Sequence, residues 1–202
     1  MRVAEIAPGL WRWTAPHPEW HEGADWEREV GCVYYEAPAA TVLIDPLVPG
    51  GDDRQRFYEA LDRDVERRGF PVAVLLTVPW HSRSAAELAE RYGATDEVPG
   101  EIQPLALPAF DEIVWWLPKP ATLVVGESLF GGSGTLTLCP EAWVSGERRE
   151  TLRSSLRPLL DLPVERVLVS HGEPVLEDGR AALERALDVL PAGVDRLGRD
   201  VL

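Results

Sequence analysis

The sequence predicts an α/β fold, a four-layer αββα sandwich formed by a single domain over residues 1–202. Three observations point to it. Short strand-like runs open the chain, helical and strand-like periods alternate from about residue 52, and a second group of strands followed by helices closes it. Each half therefore reads as strands followed by mixed strand and helix units. Periodicity alone also permits one doubly wound sheet, and that alternative stays open.

In order, Ala4 to Ile6, Leu10 to Thr14, Gly31 to Glu36 and Thr41 to Ile44 read as strands separated by Pro8-Gly9 and by Pro38-Ala39-Ala40, an antiparallel opening. Asp52 or Asp53 caps a helix running to about Arg68, with Phe57, Leu61 and Val65 on one face. A strand over Val72 to Thr77, a helix from Ser84 to Tyr92 and a short strand near Ala94 to Asp96 follow. After Pro99 a Pro-rich connector leads to strands at Glu112 to Leu117 and Thr122 to Val125. The last third gives a helix around Arg148 to Leu160, a strand at Arg166 to Ser170 and a helix from Gly179 to Leu190.

Composition limits the partners. A formal charge of −14 argues against nucleic acid and against an anionic membrane, both of which are bound through basic patches. No amino-terminal signal or membrane-spanning run is evident, so a cytoplasmic protein acting on a small-molecule ligand or substrate is expected, with its oligomeric state open. Cys32 and Cys139 sit in apolar strand-like settings and read as buried free thiols. Lys119 is the lone lysine amid many arginines, which suggests a GC-rich bacterial genome.

The junction Thr77-Val78-Pro79-Trp80-His81-Ser82-Arg83 carries the most information. It resembles the Thr-His-x-His-x-Asp-His segment of metallo-β-lactamase-fold hydrolases, the glyoxalase II-like enzymes among them. Thr41 to Pro46 resembles the family's early strand ending in an aspartate, here Asp45. Thr122 to Phe130 resembles its Gly-Asp strand, with Glu127 in the aspartate's place, and Leu168 to Pro174 resembles the late strand that delivers a metal-binding histidine, here His171. The resemblance implies the αββα sandwich of the metallo-β-lactamase type. It also places the motif's four metal positions on Val78, Trp80, Ser82 and Arg83, none a good zinc or iron ligand, and a further histidine position near Pro108. Shifting the loop by one residue would put His81 rather than Trp80 at the second of these positions, so the register is open.

The residues themselves suggest a rebuilt site. In the resembled fold, His17 and His21 would belong to a loop over the active-site mouth and His81 and His171 to strand ends that form it, so all four are expected to converge there with Asp45 and Glu127 beside them. Imidazoles with a carboxylate suit a single divalent zinc, iron or manganese, and His81, Glu127 and His171 are the candidate ligands. The alternative is no metal at all. Trp80 in a ligand position would fill or cover the metal cavity, and Arg83 would either pair with Asp45 or Glu127 or hold a ligand's carboxylate or phosphate. The catalytic candidates are thus Asp45, His81, Arg83 and His171; those for ligand binding are His17, His21, Trp80 and Glu127. Of the eight tryptophans, Trp115 and Trp116 read as ordinary strand residues facing opposite sides, whereas Trp20 and Trp26 lie on a polar stretch and suit an aromatic mouth. Gly131-Gly132-Ser133-Gly134 reads as a turn and lacks the lysine of a phosphate loop. Ser82, Ser84 and Ser170 lie near histidines without a nucleophile-elbow pattern. Three readings remain: a rebuilt-site hydrolase of a small ester, thioester or amide, a metal-free ligand-binding relative, and a non-catalytic partner-binding domain.

Overall fold

The structure is a computed structural model that describes residues 1–188. Strands β1 (Arg2–Ala7), β2 (Leu10–Pro16), β3 (Glu29–Ala37), β4 (Ala40–Ile44) and β5 (Val72–Leu75) form one sheet in sequence order. The first four pair antiparallel, and β5 joins β4 in parallel after the crossover helix α1 (Asp52–Arg68). Helix α2 (Ala85–Tyr92) comes next in the chain. The second sheet holds β6 (Gln103–Leu107), β7 (Glu112–Leu117), β8 (Thr122–Val125) and, parallel to β8, β11 (Arg166–Val169) in the order β11-β8-β7-β6. A hairpin of β9 (Leu129–Gly132) and β10 (Thr135–Leu138) and the helices α3 (Gly146–Leu156) and α4 (Gly179–Asp188) complete the described residues.

Side-chain alternation along the strands builds the layers. Val42, Ile44, Ala73 and Leu75 of the first sheet meet Trp115, Leu117, Val124 and Leu168 of the second in a central apolar layer. Their neighbours Leu43, Val72 and Val74 face the other way and pack with Phe57 and Leu61 of α1 and Leu88 of α2. On the far side, Trp116, Leu123, Val125 and Val167 pack with Leu152 and Leu156 of α3 and Leu183 and Leu187 of α4. This is the αββα sandwich; two sheets with consecutive antiparallel strands exclude a single doubly wound sheet. Trp115 and Trp116 take opposite faces, as expected.

Several expectations are corrected. Gly51 precedes α1, and Asp52 and Asp53 occupy its first turn without a side-chain cap; there they favour the helix dipole, and Asp53 holds the amino-terminal ammonium at 2.6 Å. Ala94 to Asp96 contributes one parallel bridge, Thr95 to Ala73, rather than a strand. The Pro-rich connector contains β6, an edge strand that tolerates Pro104 because its outer face needs no ladder donor. Of the turn expected over Gly131 to Gly134, Gly131 and Gly132 belong to β9 and only Ser133-Gly134 turns the chain into β10. The helix expected over Arg148 to Leu160 is α3 followed by a 3-10 segment over Arg157–Asp161. For the final helix, the two residues past Asp188 lie outside the described residues.

The two sheets are also tied through main-chain carbonyls beside His171. Gly31 N of β3 donates to Ser170 O at 2.8 Å, while the buried Arg12 guanidinium donates to Val169 O at 3.3 Å and Gly172 O at 2.9 Å. These bonds bracket His171 from both sides. A Cβ on Gly31 would lie 2.5 Å from Val169 O and 2.6 Å from Arg12 Nη2, so backbone and guanidinium would both have to move. Gly31→Ala is therefore expected to lower unfolding free energy by about 2–3 kcal/mol in urea titrations, against a change within about 0.5 kcal/mol for Gly100→Ala, where a Cβ meets open space.

Candidate functional site

The site lies where β4, β5, β8 and β11 end. Asp45 follows β4 in a left-handed conformation (φ 49°) and is buried, so its carboxylate needs donors. Oδ1 accepts from Thr77 N at 2.8 Å. Oδ2 accepts from Thr77 Oγ1 at 2.5 Å and from Ser170 Oγ at 3.4 Å, and it lies 2.9 Å from His81 Nδ1. Ser170 thus serves the aspartate and forms no serine-histidine pair.

The loop register is decided by a 3-10 turn over Pro79–Ser82. Pro79 suits its first position, and the roughly 120° between successive residues sends Trp80 and His81 in different directions. Trp80 is 58 % exposed and His81 3 %. This corrects the unshifted register: the indole stands on the lip of the site rather than in the metal position, and the imidazole points inward. Val78 is buried in its own right and Ser82 is exposed.

Glu127 links the two buried histidines. Its Oε1 lies 2.6 Å from His81 Nε2 and 3.3 Å from His171 Nε2. The turn that presents it is held by Glu112, a residue that no motif in the sequence singles out. The buried Glu112 carboxylate accepts from Gly126 N at 2.9 Å, Glu127 N at 3.3 Å, and Ser128 N and Oγ at 3.0 and 3.1 Å. A carboxylate opening the apolar strand Glu-Ile-Val-Trp-Trp-Leu was the available signal. Pro108, where the resemblance placed a histidine, lies in a 3-10 turn lining the same cleft.

The charges are mutually dependent. Burial disfavours an imidazolium at His81, but Asp45 and Glu127 on its two nitrogens outweigh this and raise its pKa. Burial also disfavours a carboxylate at Glu127, and the contacts with His171 and His81 overcome it and hold its pKa well below the usual range. Glu112 differs: burial pushes its pKa up to about 7 against the pull of the Gly126 and Ser128 donors. Burial likewise pushes the Cys32 and Cys139 thiols up to about 11, as suits inert free thiols.

Arg83 does not neutralise the carboxylates. Its Nη1 donates to the main-chain oxygen of Asp45 at 3.2 Å, its Nε is buried without an acceptor, and it makes no ion pair among the described residues. Thr77, Ser170 and His81 already occupy the oxygens of Asp45, and His81 and His171 share Oε1 of Glu127.

The loop after β2 does reach the mouth. Trp26 lies edge-on to His171 at 5.5 Å and to His17 at 5.2 Å, and Trp143 Nε1 donates to Asp25 Oδ2 at 2.6 Å, tying the loop across the site. Phe130 stacks on His171 at 4.8 Å. His17 lines a cavity with His81, Arg83, Glu127 and His171, and burial followed by the nearby Arg83 charge lowers its pKa. His21 does not converge: it is exposed and accepts from Gly23 N at 3.2 Å, closing a local turn.

His81, Glu127 and His171 each offer a ligand atom, all within 4.8 Å of one another, and form the only such three-residue group among the described residues. Two imidazoles and a carboxylate suit zinc with an open position, or iron. Asp45 on His81 Nδ1 leaves Nε2 for an ion, an aspartate-histidine-metal arrangement. The donor set therefore fits a divalent cation.

No protein-family model matches the chain, and no curated protein matches it. Solved structures do. A metallo-β-lactamase from Erythrobacter litoralis in its mono-zinc form shares 15 % identity with a TM-score of 0.58 over 93 % of this chain and 94 % of its own. One from Pontibacter korlensis shares 16 % at a TM-score of 0.53 over 92 % and 96 %. A metallo-β-lactamase family protein from Thermus thermophilus shares 16 % at 0.52 over 90 % and 79 %. The chain has the metallo-β-lactamase fold, and at this identity the likeness establishes the fold alone. None of the described helices is long and apolar enough to cross a membrane.

The raised pKa of Glu112 makes stability pH-dependent. The unfolded carboxyl ionises near 4.5 and the folded one near 7, so its contribution is full below about 4.5 and is lost as pH rises through about 7. Comparing unfolding free energies at pH 4.5 and 8, Glu112→Gln is expected to remove a fall on the order of 3 kcal/mol from the wild-type profile. An unchanged profile would show that the donors around Glu112 keep it ionised throughout.

Proposed function

We propose that the protein is a hydrolase of a small ester, thioester or amide, built on a single divalent metal held by His81, Glu127 and His171. The convergence of those three donor atoms within 4.8 Å carries the reading. When bound, such a metal supplies Lewis acidity for the attack of water on a carbonyl. The chain's own residues account for the rest. Asp45 orients His81 and fixes which nitrogen faces the site, Glu112 presents Glu127 by its turn, and Arg12 and Gly31 hold the backbone on either side of His171. Trp26, Trp80 and Trp143 wall the mouth and narrow the access of bulk water. A cytoplasmic bacterial enzyme acting on a small molecule, with neither nucleic acid nor membrane as partner, is the matching setting.

A second reading has its own observation. Both nitrogens of His81 already face carboxylate oxygens, at 2.9 and 2.6 Å, so a proton on each satisfies the cluster without an ion. The protein would then bind a small ligand in the cleft without a metal.

Elemental analysis separates the two. Protein purified without chelator or affinity-tag histidines is expected to carry about one zinc, iron or manganese per chain, and His171→Ala none. Added zinc should raise the melting temperature of chelator-treated wild type but not of His171→Ala, and Asp45→Asn should weaken zinc binding about 10–100-fold. Protein free of metal and indifferent to all three ions would leave the ligand-binding reading.

A further inference from the structure

Two cavities share Glu127, and their walls differ. The larger, about 380 Å³, runs from Glu127 between Trp80 and Trp143 to Phe110, Val144 and Leu152. The smaller, about 210 Å³, sets Arg83, His17 and Trp26 beside His81, Glu127 and His171. Trp80, Glu127 and Trp143 line both. Whatever occupies the two cavities together must pass Glu127 where they join.

Arg83 is the one arginine lining the smaller cavity, whose lining also includes the exposed carboxylate of Glu19. One nitrogen donates to a main-chain carbonyl, Nε is buried with no acceptor, and no carboxylate pairs with it among the described residues. Its backbone sits at φ 30°, ψ −104°, an unfavourable conformation for a residue with a Cβ that costs on the order of 1–3 kcal/mol. A guanidinium kept half-buried in that setting lacks the forked anionic partner its geometry suits. Arg12 and Arg149, which also make no ion pair among the described residues, are instead committed to main-chain carbonyls, those of Val169 and Gly172 and of Cys139 and Val144. The larger cavity is mostly apolar and aromatic, the lining that accepts a flat hydrophobic group.

We propose that the site takes bipartite carboxylic acids: a carboxylate on Arg83 in the smaller cavity, an aryl or compact apolar acyl group between Trp80 and Trp143 in the larger, and the hydrolysable carbonyl link at Glu127. The hydrolytic part rests on His81, Glu127 and His171 being the reacting centre. The binding part rests on Arg83 and the tryptophans alone. Hydrolysis adds water across the acyl C–N or C–O bond: the water's oxygen stays on the acyl carbon, giving the aryl or apolar acid, and a proton goes to the leaving amine or alcohol, which keeps the original carboxylate. No redox partner is needed.

Calorimetric titration tests this with N-benzoylglycine and its neutral counterpart N-benzoylglycinamide, on protein as purified and with metal content measured in the same preparation. Wild type is expected to bind the acid at least about tenfold more tightly than the amide. Arg83→Gln should erase that preference while leaving affinity for the amide within about twofold, and Arg83→Lys should restore part of it. Trp143→Ala should weaken both ligands by about tenfold. Equal binding of the two by wild type, no binding of the acid, or a preference that survives Arg83→Gln would overturn the proposal. Should Arg83→Gln fail to fold, the wild-type ratio and Arg83→Lys decide. Metal-free protein with the expected preference would remove the hydrolase reading and keep this one; metal-bearing protein with no preference would do the reverse.

Discussion

The buried carboxylate of Asp45 is the constraint around which the site is assembled. Taking an ionised carboxylate out of water is costly unless its oxygens are paired, and here the partners come from two segments far from Asp45 and from each other in sequence. Thr77 arrives from the end of β5, His81 from the turn beyond it and Ser170 from the end of β11 in the other sheet. Satisfying one side chain therefore fixes the inward rotation of His81 and ties the strand ends of both sheets to a common point. The apolar layer between the sheets brings these strands close; Asp45 sets which polar groups meet.

The other two donors are held by independent means. His171 sits between two carbonyls gripped by Arg12 and next to the main-chain bond from Gly31, with Phe130 stacked on its ring. Glu127 rides on a turn whose amides converge on Glu112. Each candidate ligand thus has a separate support from a different stretch of chain, the arrangement by which a site keeps its geometry before a ligand arrives. The supports differ in chemistry as well. Asp45 works through side chains, Arg12 through main-chain oxygens that accept from a guanidinium without neutralising it, and Glu112 through main-chain amides.

How much of this was legible depends on which signals are local. Strand and helix periods placed most of the elements, and Asp45, Glu127 and His171 could be read as site residues because their segments resemble strands that end at the mouth of the metallo-β-lactamase fold. β6 was hidden by Pro104, which an edge strand allows, and β9 and β10 by a glycine-rich stretch in which Gly131 is required by its close approach to the Glu173 carbonyl. The register of Thr77 to Arg83 was not legible: a single 3-10 turn decides it, and Pro79 makes such a turn acceptable without requiring it. The reach of the loop after β2 was half-legible. Both His17 and His21 accept from an amide two residues on, but His17 lies at the strand end and lines the cavity, whereas His21 is exposed and does not. Glu112 and Arg12 act on the site through backbone they contact only in three dimensions.

The tryptophans show the same division between packing and mouth. Trp13, Trp115 and Trp116 are buried in the layers, and the indole nitrogens of Trp13 and Trp115 bond to main-chain carbonyls. Trp20, Trp26, Trp80 and Trp143 are partly or largely exposed, and two of them brace the loop after β2 through hydrogen bonds to Trp26 O and Asp25. That loop exposes Glu19, Glu22, Asp25 and Glu27, so the mouth is rimmed by negative charge on a protein whose formal charge is already −14. Such a field opposes the approach of anions over the distance at which salt screens, roughly 8–10 Å at moderate ionic strength. Arg83 lies behind that rim, walled by indole and imidazole rings, where low dielectric strengthens a direct ion pair. On the proposed binding mode, preference among anions would be a property of the last contact rather than of the approach: a bare ion would gain only the guanidinium, while one carrying an aromatic group would also gain the tryptophan walls.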